Sequence, residues 1–125
     1  MDRTHAAPLS AVDTVVVDED GVTAEKRIVA TDPYLSGHYP GFTIYPGVFT
    51  IESVHQAVRA MAGDTEIERI VSLRLNAPLL PGDTLRIRAD RVSQQDGVLR
   101  VKAVCHRADG VVAAKMTLDL RGEGW

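Results

Sequence analysis

Hydrophobic and polar positions alternate along most of this chain, and the alternation is interrupted once. Val12 to Val17 is rich in β-branched residues and predicts a first strand. Asp18-Glu19-Asp20-Gly21 follows as a turn signal, and Val22 to Ala30 alternates well enough to complete a hairpin. The period then changes. Val48, Phe49, Ile51, Val54, Ala57, Val58 and Met61 recur at helical spacing and cover most of the circumference, which predicts a helix packed on most sides. Pro46 suits its first turn and Gly63 its C-terminal stop. Its polar exceptions, Glu52, His55, Gln56 and Arg59, form one stripe, either a solvated face or a working one.

Alternation then resumes. Ile67 to Leu75 reads as a strand with Val71, Leu73 and Leu75 on one face. Leu79-Leu80-Pro81-Gly82-Asp83 turns the chain, and Thr84 to Ser93 sets Leu85, Ile87 and Ala89 against Arg86 and Arg88. Asp96-Gly97 is a hairpin signal. Val98 to Arg107 and Val111 to Leu120 alternate again, joined through Ala108-Asp109-Gly110. Strands that return through tight turns are antiparallel. The order β-β-loop-α-β-β-β-β therefore predicts an α+β domain with an antiparallel sheet wrapped on one long buried helix.

Bulk properties narrow the function. The 125 residues make one domain, with residues 1–9 read as a loose arm, and 45% apolar residues suffice for a core. A net charge of −3 argues against a nucleic-acid partner. No apolar run approaches the ~20 residues that span a bilayer. Arg3 lacks a following apolar segment, so no secretory signal is expected, and a cytoplasmic location is. Cys105 is the single cysteine and lies in an alternating strand, where it reads as a small apolar residue rather than a nucleophile.

The interruption carries the chemistry. Thr31 to Pro46 is a long ordered loop of the kind that is usually functional. It holds Gly37-His38-Tyr39-Pro40-Gly41, then Tyr45-Pro46-Gly47-Val48, with Glu52 one turn into the helix. A base, an acid and a helix N-terminus thus fall within one short segment, enough for acid–base chemistry on a carbonyl compound. Glu52-Ser53-Val54-His55 also has the Glu-x-x-His spacing of di-iron bundles, but those need two copies and four helices, so no metal is expected. His5 and His106 have no partner in sequence and read as surface residues. Arg86 and Arg88 share a strand face that is either solvated or a cationic patch for an acidic carrier protein.

Taken together, these motifs resemble the hotdog-fold 3-hydroxyacyl-acyl-carrier-protein dehydratases of bacterial fatty-acid synthesis, from about Val12 to Leu120. The resemblance implies His38 as catalytic base, Glu52 as catalytic acid, Gly47 as the backbone N–H that binds the thioester oxygen, and Gln56 as an orienting partner of the acid. It implies no cofactor, an acyl carrier protein as partner, and a homodimer or heterodimer whose site takes His38 and Glu52 from different subunits. Dehydration then needs a base for the C2 proton, a holder for the thioester oxygen and an acid for the departing hydroxyl. Burial along the helix is expected to keep Glu52 protonated for that role. Tyr45, Val48, Phe49 and Ile51 are the candidates to line an acyl tunnel.

Three features depart from the family's pattern: a short Ala62–Glu68 connection, the absence of a Pro-rich lead-in, and His55 where a small residue is common. They point to a specialised pathway such as polyketide or polyene assembly. The alternatives are a hotdog thioesterase and a non-catalytic subunit of a heterodimer.

Overall fold

The computed structural model describes residues 12–29 and 47–122. The arm 1–9, His5, the loop 31–46 with His38, and Tyr45 lie outside the described residues.

The elements are β1 (Thr14–Val17), β2 (Gly21–Arg27), α1 (Gly47–Ala62), β3 (Thr65–Leu75), β4 (Thr84–Gln95), β5 (Val98–Arg107) and β6 (Val112–Gly122). The strands form one antiparallel sheet in the order β1-β2-β4-β5-β6-β3. β3 is therefore an edge strand, although it directly follows the helix. The sheet's inner face supplies Leu85, Ile87, Leu99, Val101, Leu118 and Leu120 to a core that packs on Val54, Ala57 and Val58 of α1.

Local chemistry sets the element ends. Asp18 Oδ1 accepts from the amides of Asp20 and Gly21 at 2.9 Å each, closing the first turn. Gly21 has no substitute there, because a Cβ would lie 2.1 Å from the Ala89 carbonyl oxygen across the sheet. Asp96 and Gly97 both have positive φ (55° and 78°), the demand of a tight hairpin turn that keeps the strands' twist. Gly63 takes the left-handed conformation (φ 81°) and donates to Arg59 O at 2.8 Å, ending the helix.

Two expectations from the pattern need correction. The helix is not buried around most of its girth. Its buried apolar stripe is Val54, Ala57 and Val58, flanked by buried Thr50, Ser53 and His55, whereas Val48 is 65% exposed and Phe49 and Ile51 are half-buried. One sheet covers one side of a helix, so Val48 on the other side stays open among the described residues, while Phe49 and Ile51 reach the core's margin. The polar stripe likewise divides: His55 is buried, Glu52 and Gln56 are half-buried, and Arg59 is exposed.

In β3, the facing set is not Val71, Leu73 and Leu75. Register shifts at Ile67/Arg69 and Ile70/Ser72 break the two-residue period. Ile67, Ile70, Leu73 and Leu75 lie opposite Leu120, Leu118, Met116 and Ala114 and share their inward face, while Val71 falls in a bulge. Ile70, Val71, Leu73 and Leu75 remain 37–56% exposed.

Candidate active site

The site builds outward from α1. Gly47 is its first residue, so its amide belongs to the unpaired donors at a helix N-terminus, where the dipole favours negative charge. A Cβ at Gly47 would lie 2.7 Å from Leu75 Cδ1, so a side chain there would press on the end of β3. Glu52 stands five positions on, a rise of roughly 7.5 Å along the axis. Gln56, one turn beyond, donates from Nε2 to Glu52 Oε2 at 3.3 Å. The two side chains are i,i+4 neighbours on one helix face.

Among the described residues, the burial expected around Glu52 is absent. Its side chain is 43% exposed, because it sits off the stripe that faces the sheet. Any further enclosure must come from outside the described residues.

Sequence reasoning gave His55 no role. It is 6% exposed and anchored where α1 meets β3. Its Nε2 lies 2.8 Å from Thr65 O and 3.1 Å from Thr65 Oγ1, and its Nδ1 lies 4.0 Å from Glu52 Oε1. Burial, with the nearby Arg59 charge, lowers its affinity for a proton below that of an ordinary imidazole. The Thr65 carbonyl and the carboxylates of Glu52 and Glu66 oppose that shift. Glu-x-x-His spacing was the visible signal, since it puts both side chains on one helix face.

A cleft of about 280 Å³ opens beside the helix start, lined by Gly47, Thr50, Leu75, Pro78, Leu79 and Ala114 among others. Asn76 N donates to Ala113 O at 2.7 Å and fixes its far wall. Val48, Phe49 and Ile51 do not line it: Phe49 and Ile51 pack against the core, and Val48 points into the open. Leu75 was hidden in the sequence because the β3–β6 pairing brings it to the helix start, and Leu79 lines the same cleft from the segment after β3.

The remaining candidates lie elsewhere. Arg88 donates to Asp18 Oδ2 at 2.6 Å and to Asp90 Oδ1 at 2.8 Å, and Arg86 Nε lies 3.2 Å from Glu25 Oε2. Both guanidinium groups of the expected cationic patch therefore already face carboxylates. Cys105 is wholly buried, and desolvation pushes its thiol up to about 12, so it packs as an apolar residue. No helix among the described residues is long and apolar enough to cross a membrane.

Comparison with known proteins identifies the family. The family model described as ApeI dehydratase matches residues 14–116. The 3-hydroxyacyl-[acyl-carrier-protein] dehydratase FabZ of Proteus mirabilis is 32% identical over 123 residues, covering 89% of this chain and 81% of the relative. That of Thermotoga neapolitana is 31% identical, covering 94% and 90%. Among solved structures, the dehydratase heterocomplex ApeI:P from Xenorhabdus doucetiae aligns with a TM-score of 0.70 at 19% identity, covering 84% of this chain and 90% of that one. A hypothetical thioesterase with coenzyme A from Streptococcus pneumoniae aligns with a TM-score of 0.70 at 14% identity, over 89% and 88%. Likeness at such low identity speaks for the shared hotdog fold; the sequence matches speak for the family. This chain belongs to the ApeI-like family of hotdog dehydratases.

Proposed function

We propose that this protein removes water from a 3-hydroxyacyl thioester carried on an acyl carrier protein, giving the trans-2-enoyl thioester. His38 takes the C2 proton. The Gly47 amide holds the charge that grows on the thioester oxygen. Glu52 gives its proton to the C3 hydroxyl, which leaves as water, and Gln56 keeps the carboxyl turned toward it. The acyl chain lies beside the helix start, either in the cleft under Leu75 or against Tyr45, Val48, Phe49 and Ile51. No cofactor enters these steps.

The observation that carries the reading is the Glu52–Gln56 pair at 3.3 Å, on a helix that begins at Gly47. Acid, orienting amide and oxyanion donor then occupy one rigid element. The relatives from Proteus mirabilis and Thermotoga neapolitana, 32% and 31% identical, are named as dehydratases, which favours water loss over thioester hydrolysis.

The reading includes a second subunit, a copy or a hotdog homologue. β3 is an eleven-residue edge strand with Ile70, Val71, Leu73 and Leu75 exposed, and long apolar edges are normally covered. A partner paired there would also enclose Glu52 and bring in the opposing His38. A cytoplasmic setting and a specialised polyketide or polyene pathway complete the reading.

Incubation with a 3-hydroxyacyl carrier, followed by mass spectrometry of the intact carrier, tests it. Loss of one water from the carrier-bound chain is expected. Release of the free acid would instead establish a thioesterase.

A further inference from the structure

His55 is a buried histidine with one ring nitrogen committed and the other turned toward the candidate acid. Thr65 O can only accept, so the 2.8 Å contact requires a proton on Nε2. The same carbonyl also accepts from Arg59 Nη2 at 3.3 Å, which fixes its position from two sides. In the neutral ring the proton on Nε2 leaves Nδ1 as a lone pair. That lone pair faces Glu52 Oε1 at 4.0 Å.

Two acceptors facing each other across 4.0 Å make no bond. A carboxyl proton placed between them satisfies both. The gap exceeds hydrogen-bond distance, but a small turn of the half-exposed Glu52 side chain closes it, and catalytic hydrogen bonds are often long before substrate binds. The groups around the ring are Glu52 and Arg59 from α1 and Thr65 and Glu66 from β3. Arg59 and burial disfavour an imidazolium, so the ring stays an acceptor toward Glu52.

We propose that His55 is a positioning residue for Glu52: Nε2–H locks the ring to Thr65, and Nδ1 accepts the hydrogen bond of the Glu52 carboxyl, holding it aimed. Gln56 holds the other oxygen, so the carboxyl is gripped from i+3 and i+4 together. The proposal rests on the assignment of Glu52 as the acid made above.

The test compares wild type, His55→Gln and His55→Asn by dehydration kinetics across pH and by melting temperature. His55→Gln can still donate to Thr65 from its Nε2 but carries no acceptor at the Nδ1 position. It should melt near wild type, keep KM, and lose kcat roughly tenfold, the scale of one hydrogen bond to the acid. The basic limb of its pH profile should move to lower pH by about one unit, because the acid is lost earlier. His55→Asn restores an acceptor near the Nδ1 position and should recover part of kcat despite lower stability. Unmoved pH limbs, with activity loss tracking the unfolded fraction, would reduce His55 to packing and overturn the proposal.

Should the variants fail to fold, histidine ¹⁵N spectra of the wild-type protein and of Glu52→Ala read the contact directly. An unprotonated Nδ1 whose resonance responds to Glu52→Ala is expected; identical spectra would overturn the proposal. A wild-type protein without dehydratase activity would count against the dehydratase reading instead, and the spectra would still report on the pair.

Discussion

The two polar regions of this molecule are built differently. On the outer face of the sheet, arginines meet carboxylates with fitted geometry. Arg100 Nε and Nη2 donate to the two oxygens of Asp119 at 2.7 and 3.0 Å, and Arg69 approaches the same carboxylate at 3.6 Å. Arg88 bridges Asp18 and Asp90. Donors and acceptors balance there, so these clusters are complete as they stand. On the helix, among the described residues, Glu52 has one amide donor at 3.3 Å and a ring nitrogen 4.0 Å from its other oxygen. That cluster is complete only with a proton, a substrate or a partner subunit added. The difference teaches how to separate structural from working polar groups: a closed ion pair has no remaining valence for chemistry, whereas an acceptor-rich pair beside a helix N-terminus does.

Removing the proposed base or the proposed acid should have the largest effect. His38→Ala removes the base and should cut turnover by at least ~10²–10⁴-fold with an unchanged fold. Glu52→Gln keeps shape but cannot donate the proton, so activity should fall steeply at nearly constant melting temperature. Steady-state kinetics beside a thermal melt checks both. Wild-type turnover by either folded variant would remove that residue from the mechanism.

A charge on the β3 edge tests what completes the cluster. Leu73→Arg places a cation on an inward-facing edge position that is 40% exposed in one chain. Sedimentation should show dissociation, and activity should fall with it. A fully active monomer would show that one chain suffices.

The pH dependence of stability distinguishes the regions more gently. His55 resists protonation in the folded protein, while an unfolded histidine protonates near 6.5. The unfolded state therefore binds more protons as pH falls below about 6.5, and stability should decline in that window. His55→Gln should flatten that part of the curve. The outer-face carboxylates have the other signature. Arg88 holds Asp18, and Arg100 holds Asp119, below the ordinary carboxylate value of 3.8. Their contribution is present above that value and is lost as pH falls through the lowered one.

Arg88→Ala should have the smallest effect. It opens a largely exposed pair, so a slight, salt-sensitive drop in melting temperature is expected with unchanged kcat/KM on a small thioester substrate. A raised KM confined to carrier-bound substrate would instead make this face the carrier's docking site.

Much of this was legible in the sequence, for reasons that particular residues show. β5 spans Val98–Arg107, as the pattern predicts, because Asp96-Gly97 and Gly110 impose turn conformations that few other residues adopt. The helix C-terminus was readable from Gly63, while Pro46 lies outside the described residues. The faces of β3 were not, since its two bulges leave no mark in composition and the two-residue rule assigns Val71 to the wrong side. The helix burial was overestimated because periodicity shows which residues are apolar, not whether the same chain covers them. The shared helix face of Glu52 and Gln56 could be read from their spacing. His55 could not be assigned, because its role depends on Thr65, which reaches it only when the chain reverses through Gly63 and Asp64 into β3.

The central claim is that one active site takes its base and its acid from two subunits. The most direct measurement mixes inactive His38→Ala with inactive Glu52→Gln under conditions of subunit exchange, with exchange followed by native mass spectrometry. A mixed dimer then has one site with both defects and one with neither. Recovered dehydration in step with the mixed-dimer fraction is the predicted result; complete exchange without recovered activity would contradict the account.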